Sequence, residues 1–467
     1  MRRLRHGLVR ALVAALLLSP PLGTPALAQV PSRRYLPDPA DEDWSFLKDA
    51  PRIDRWDRVK YLPLGREDWF ITLSGEVRYR PEGFRVRETS SQPETIDNYL
   101  LQRYLAGADV RLGRRARFFV ELQSGIVNGK LRSPRPSDRN SLDLHQAFVE
   151  LRTGREDRLV TVKVGRQPLT VGSTRLISAS PGLNVKRSFD GVGVTVRTRS
   201  WTLVGAAARL VGLHSGIFDD RSASGQVFWG IAANRRSPRF ERGQLAVYYL
   251  GLDRTFSLYA QGGGPERRHT IGLKWTGDGA RLDLNYDALA QWGELAGSPI
   301  RAWAFATETG LRLSANGWQP RLSVRADVAS GDDTRADPRL QAFNPLFPGN
   351  SYSGAVGLLG PTNLSDLTPS VRVRPWPTFT LSFEAPSYWR TSTGDGIYAT
   401  DSRPLIPPEA GSGNYVGTNP GLIVVWQVTP HLQLQGAVTR FLPGRFLQNT
   451  FVSSGFGFYS ATAAYRF

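Results

Sequence analysis

Residues 280–292 read ARLDLNYDALAQW, and they alternate. Leu282, Leu284, Tyr286, Ala288, Ala290 and Trp292 share one parity. Arg281, Asp283, Asn285, Asp287 and Gln291 take the other, with Leu289 as the break. Period two is the mark of a strand with one apolar and one polar face. In a soluble sandwich the apolar face meets a core; in a membrane barrel it meets lipid and the charges face a wet interior. Inverting this segment in a bilayer puts Arg281, Asp283 and Asp287 into hydrocarbon, where one Arg near the midplane costs about 2–4 kcal/mol. That cost fixes the register.

The pattern recurs from residue 70 onward. ITLSGEVRYR (71–80) sets Ile71, Leu73, Val77 and Tyr79 against Thr72, Ser74, Glu76, Arg78 and Arg80. LVTVKVG (159–165), RLSVRADV (321–328) and HLQLQGAVTR (431–440) repeat it. The links alternate in length: 81–97, 125–140, 169–189, 331–366, 391–418 and 443–456 are long, while 113–114, 153–157, 199–200, 375–377 and 429–430 are short. Short turns on one rim and long loops on the other belong to a membrane barrel, and an even strand count returns both ends to the periplasmic side. The expected fold is all-β, a single transmembrane antiparallel β-barrel of about 18 strands over 70–467, with short periplasmic turns and long extracellular loops.

The N-terminus supplies an address. MRRLRHGLVR is basic, ALVAALLL is apolar but too short to span a bilayer, and Ala26-Leu27-Ala28 fits a cleavage site. Residues 1–28 therefore read as a Sec signal peptide, and no later apolar run is long enough for a transmembrane helix. Export to the bacterial outer membrane follows. Mean hydropathy is −0.30, but a barrel spreads its apolar residues one in two and escapes such averages. Residues 29–69, rich in Pro and Asp, lack the period; a periplasmic tether, a collar and a segment folded into the pore mouth all suit this periplasmic N-terminal segment.

Composition narrows the chemistry. There is no Cys and only 5 His, so disulfides and thiolate chemistry are excluded and no metal or other cofactor is expected. Net charge is +18, carried mainly by Arg. A GC-rich genome that favours Arg codons explains the excess without function; a surface built for anions explains it functionally. Nucleic acid does not suit an exported chain whose cations alternate with apolar residues.

The inward parity holds the candidate pore-lining cations Arg78, Arg80, Arg103, Arg111, Arg117, Lys163, Arg197, Arg281, Arg312, Arg321, Arg325 and Arg372, with the acids Glu76, Asp283, Asp287 and Asp327 among them. Residue by residue, cross-strand neutralisation that braces the wall is the plainer role. As a set, surplus Arg in a narrow lumen favours anions. Arg281, Arg312, Arg321 and Arg325 are expected to form one basic patch. Arg166, Arg175, Lys186 and Arg187 flank small residues in a stretch read as a loop over the pore mouth. His145, between Leu144 and Gln146 and two residues after Asp143, is the sole hint of catalysis. There is no G-x-S-x-G or H-E-x-x-H, so no enzyme is expected.

The terminal YSATAAYRF resembles the closing strand of outer-membrane barrels, whose last aromatic is recognised by the barrel assembly machinery. LDLHQAFVEL (142–151), VGRQPLTVGSTRLIS (164–178), NVKRSFDGV (184–192), YYLGLDR (248–254), FNPLFP (343–348), LLGPTNLSDLTPS (358–370), YWRTSTGDGIY (388–398) and FLPGRFL (441–447) resemble the alginate export porin family. The resemblance implies an eighteen-stranded barrel in lipid and lipopolysaccharide, with an electropositive pore for passive passage of an anionic polysaccharide or oligosaccharide. A porin for small anions is the alternative, and a barrel hydrolase the third.

Overall fold

The computed structural model describes residues 35–86, 95–155, 157–236, 242–334, 337–349, 357, 359–450 and 452–467. The expected signal peptide lies outside them. Eighteen antiparallel strands form the barrel: β1 (Trp69–Val86), β2 (Thr95–Leu112), β3 (Ala116–Asn128), β4 (Asn140–Arg155), β5 (Arg158–Gln167), β6 (Phe189–Thr198), β7 (Trp201–Gly212), β8 (Gln226–Arg236) and β9 (Gln244–Tyr259) make one half. The other half is β10 (Gly262–Asp278), β11 (Leu282–Leu295), β12 (Ser298–Arg312), β13 (Arg321–Ala329), β14 (Leu364–Trp376), β15 (Phe379–Glu384 with Ser387–Arg390), β16 (Tyr415–Thr418 with Gly421–Gln427), β17 (Leu432–Pro443) and β18 (Phe456–Arg466). Each strand pairs with the next, and β18 closes on β1 through Glu76↔Arg466 and Val77↔Tyr465.

Side-chain parity follows the sequence. Leu73, Val77, Val120, Val149, Ile271, Phe305, Val324 and Val438 stay exposed on one face. Thr72, Ser74, Glu76 and Arg78 are buried on the other. An exposed apolar belt around a closed sheet is a lipid contact. Trp201, Trp292, Trp376, Tyr79 and Tyr459 are exposed as well, in keeping with interfacial aromatics.

The alternation of link lengths is less strict than the sequence suggests. Connections 260–261 and 296–297 lie on the long-loop rim yet are two-residue turns. Ala296 and Gly297 both have positive φ, 49° and 83°, the conformation that lets a tight hairpin follow strand twist. On the opposite rim, 313–320 is longer than a minimal turn. Strands also run further than expected: β1 reaches Val86, so the 81–97 link shrinks to 87–94.

The interior is not uniformly polar. Phe189, Phe228, Tyr248, Leu250, Leu252, Leu289, Ala302 and Ala304 point inward and pack against Leu169, Val171, Leu176 and Ile177 of connection 168–188. Phe343, Leu346 and Phe347 of connection 330–363 complete this core. Leu289, the break in the opening alternation, is therefore a core residue that two infolded loops cover. Each Leu, Ile, Val or Phe among them gains roughly 1.5–3 kcal/mol on burial, which offsets the cost of ordering long loops inside a barrel.

Val324 tests the belt. In lipid vesicles, Val324→Arg should lower unfolding stability by about 2–4 kcal/mol, measured by urea titration. An unchanged midpoint would place Val324 away from lipid.

Candidate functional site

Connection 168–188 crosses the lumen, and buried charge holds both its ends. On one wall Arg78 donates to Gly182 O, Leu183 O (2.9 Å) and Asn184 Oδ1 (3.1 Å), and Arg80 donates to Gly182 O. Arg103 donates to Pro181 O and Leu183 O, and pairs with Glu76 at 2.5 Å. Asn184 donates to three backbone carbonyls, those of Gln102, Ile126 and Asp138. On the far wall Ser173 donates to Asp287, and Arg175 reaches Asp327 at 3.1 Å and Asp287 at 3.6 Å. Arg78, Arg80, Arg103, Glu76, Asp287 and Asp327 thus clamp a loop across the pore.

Residues 35–63 fill the end of the barrel at which Phe467 lies. Lys186 is buried and donates to Pro37 O; Arg117 pairs with Asp109 and donates to Ala40 O; Arg111 joins Asp109 to Asp43. Within the segment, Lys60 pairs with Glu42 at 3.2 Å beneath Trp44 and Tyr35. Burial pushes the Glu42 carboxyl up and the Lys60 ammonium down, so desolvation opposes a pair that Trp44 and Leu36 support by hydrogen bonds to Glu42. Trp56 stacks on Phe467 at 4.0 Å, and His431 bridges Asp54 and Arg466 O. Gly75 exchanges backbone hydrogen bonds with Phe467. A Cβ at Gly75 would lie 2.4 Å from the Phe467 ring, so only glycine accepts the terminal aromatic there.

The expected basic wall patch is assembled in part. Arg312, Arg321 and Arg372 are direct neighbours across β12, β13 and β14. Arg325 follows two pleat repeats later, past Ser323. Arg281 is not on the strand: it sits exposed in the turn before β11, because β11 begins at Leu282. Acids neutralise most of the row. Arg321 is bidentate to Asp283 and pairs with Glu308; Arg312 pairs with Asp278 at 2.5 Å; Arg325 pairs with Asp366 at 3.2 Å. Arg372 is exposed and has no carboxylate within ion-pair distance among the described residues. Lys163 reaches Glu150 at 3.7 Å, and Arg197 is exposed near the end of β6. Arg166, expected in a loop, lies on β5 and is bidentate to Asp190.

Arg187 belongs to a different feature. A cavity of about 550 Å³ opens at the long-loop end, lined by Arg187, Arg254 and Arg403 with Phe256, Tyr259 and Phe347. Arg187 donates to Phe347 O at 2.7 Å and Pro348 O at 3.0 Å. Arg254 donates to Leu346 O and lies 5.4 Å over the Phe347 ring. Asp401 serves Arg403 at 2.7 Å. Arg254 and Arg403 escaped sequence reasoning because neither sits in a clean alternating run; YYLGLDR, where alternation fails, marked the place. His145 is buried against Glu121 at 2.5 Å, a structural pair beside the infolded segment.

A family model described as alginate export matches residues 70–455. The chain belongs to the alginate export family. No curated protein matches it. Among solved structures it is similar to a BenF-like porin from Pseudomonas fluorescens Pf-5, with a TM-score of 0.58 at 13% identity over 85% of this chain and 98% of that one. Pseudomonas aeruginosa OpdK with vanillate gives 0.57 at 11% over 85% and 98%. Acinetobacter baumannii OccAB1 gives 0.56 at 12% over 88% and 99%. At such identities the likeness is one of fold. Family and fold together are those of an outer-membrane channel.

Two measurements test the clamps. Arg78→Ala removes hydrogen bonds but leaves no acid orphaned. It should loosen connection 168–188 and raise single-channel conductance and gating noise in a planar bilayer, with the barrel still heat-modifiable. Unchanged traces would show that this connection does not narrow the lumen. At the other end, burial raises the Asp54 carboxyl, but hydrogen bonds from His431 and Trp56 N and the charge of Arg55 outweigh it, holding it below the ordinary value. A depressed carboxylate contributes its stabilisation above the unfolded pKa and loses it as pH falls through the folded one. Docking of residues 35–63 should therefore be steady from about pH 5 to 8 and weaken below about pH 4. A spin label at Ile53→Cys, in a chain without other Cys, reports this as mobility. Release already at pH 6 would contradict the role given to Asp54.

Proposed function

We propose that this channel passes carboxylated sugars passively, an anionic oligosaccharide or polysaccharide moving in single file. One observation carries the reading: Arg187 and Arg254 face the same outer cavity with no carboxylate within ion-pair distance of either among the described residues. Elsewhere in the barrel, acids meet most of the inward cations. Two unneutralised guanidiniums beside aromatic faces suit a solute that offers both a carboxylate and a ring, since guanidinium binds carboxylates through a fork of donors. Phe256, Tyr259 and Phe347 supply the faces. Beyond the crossing connection, Arg372 offers another cation toward the opposite rim. Successive weak contacts let a polyanion enter and leave again. Family membership favours the polymer over other anions.

Small carboxylates form the second reading. Connection 168–188 and residues 343–347 crowd the lumen with apolar side chains, and OpdK, of similar fold, was solved with vanillate.

Reversal potential under a KCl gradient in a planar bilayer tests the charge. Wild type should prefer anions, and Arg187→Glu combined with Arg254→Glu should lose or invert that preference. A cation-selective wild type overturns the proposal. Current block by oligogalacturonate, weaker with vanillate, supports the saccharide; the reverse order supports small carboxylates.

A further inference from the structure

The wall of the barrel is patched at the long-loop end of β4. The β4–β5 ladder stops at Ala147↔Arg166. Beyond it connection 213–225 lies along β4: Ser141 N donates to Ser215 O, Leu142 N to Gly216 O, and Phe218 N to Leu142 O at 2.9 Å. Ile217 and Phe218 remain exposed. With Ser141 Oγ donating to Ser215 O, Asp220 N to Asp143 Oδ2 at 2.9 Å and Arg166 to Asp220 O, these hydrogen bonds hold a loop where the neighbouring strand has ended.

Behind this patch four oxygen-bearing side chains converge. Carboxylate oxygens of Asp143, Asp219 and Asp220 all lie within 4.8 Å of one another. Asp143 and Asp220 are 2% and 7% exposed, and Asn140 is 0%. Asn140 Nδ2 donates to Asp220 Oδ2 at 2.8 Å, so a half-turn of the amide presents its oxygen to the group. Its Oδ1 is buried with no hydrogen-bond partner among the described residues, and so is Asp219 Oδ1. A buried oxygen without a donor is costly, the more so for a carboxylate such as Asp219. A bare amide oxygen and a bare carboxylate oxygen at one place call for a cation.

The local charge agrees. Asp190 adjoins the group, and Arg166 commits Nε and Nη2 to it at 2.9 and 3.2 Å. Only Nη1 of Arg166 reaches Asp143, at 3.4 Å. Four carboxylates thus share one guanidinium among the described residues.

We propose that Asn140, Asp143, Asp219 and Asp220 bind a calcium ion that fastens connection 213–225 to β4. An all-oxygen set suits a hard cation, and Ca²⁺–oxygen distances of about 2.3–2.6 Å in flexible geometry bridge oxygens this far apart. Mg²⁺ demands tighter octahedral geometry and keeps its waters. The ion neutralises carboxylates that otherwise repel the connection from the wall. The same connection runs on into Ala223, Gly225 and Gln226, which line the outer cavity. Calcium therefore holds one side of that cavity in place.

The test uses the full chain, folded in detergent micelles free of lipopolysaccharide and stripped with EDTA. Calorimetric titration with CaCl₂ should show one site, with a dissociation constant in the range of about 10⁻⁵–10⁻³ M. Calcium should slow tryptic cleavage after Arg221, in the fastened connection, about tenfold or more. Asp219→Asn should weaken binding about tenfold or more and abolish the protection. Should Asp219→Asn fail to fold, Asn140→Ala is the second variant and should weaken binding likewise. No binding by wild type at about 10 mM calcium, binding unchanged in both Asp219→Asn and Asn140→Ala, or equal protection by Mg²⁺ overturns the proposal.

Discussion

A backbone N–H or C=O left without a partner in hydrocarbon costs several kcal/mol, and a sheet has two such edges until it closes. The β18–β1 pairing removes them here. Everything else follows from that closure. Once the sheet is a cylinder, each strand must send alternate side chains to lipid and to the lumen, so charge is confined to the inside. The terminal residues are drawn into the seam: Arg466 pairs with Glu76 at 2.7 Å, and Phe467 lies against Gly75.

Confined charge then decides what fills the cylinder. Arg78, Arg103 and Lys186 are buried and find most of their hydrogen-bond acceptors not on the wall but on carbonyls of infolded segments. A buried cation needs such acceptors for every donor that no acid takes up, because an unsatisfied buried cation is expensive. The loop and the N-terminal segment are in this sense the missing counterparts of the wall. The apolar side chains of β6–β12 act likewise on the opposite half, where connections 168–188 and 330–363 bring Ile177 and Phe347 to meet them.

This division explains what was legible in the sequence. Alternation in 280–292 and its repeats gave strand register and lipid face correctly, since both rest on local parity. Arg281 was misplaced by one residue because a strand end depends on turn geometry, which parity does not encode. Arg166 was assigned to a loop for the same reason. The clamps were invisible: Arg78 and Gly182 are far apart in sequence, and nothing local to either announces the other. Yet Leu289, Leu250 and Leu252, each out of step with a polar lumen, marked where loops return. Irregularities in a barrel's period deserve a structural cause as much as the period itself.

On the proposed reading, selectivity is divided between wall and loop. Register on a barrel wall places neighbouring side chains about 4.5–5.5 Å apart, close enough that a basic row such as Arg312, Arg321 and Arg372 requires acids for its own stability. Asp283 and Glu308 serve that need for Arg321. A wall arginine is thereby partly cancelled before any solute arrives. A guanidinium at the junction of a loop and the wall is under no such constraint. Arg187 and Arg254 spend their bonds on neutral carbonyls of residues 346–348 and keep their charge. Physiological salt screens charge over about 8 Å, so an uncancelled pair acts only on a solute already in the cavity. Loops that fold back into the barrel can therefore set the charge at the pore without destabilising the wall that carries them.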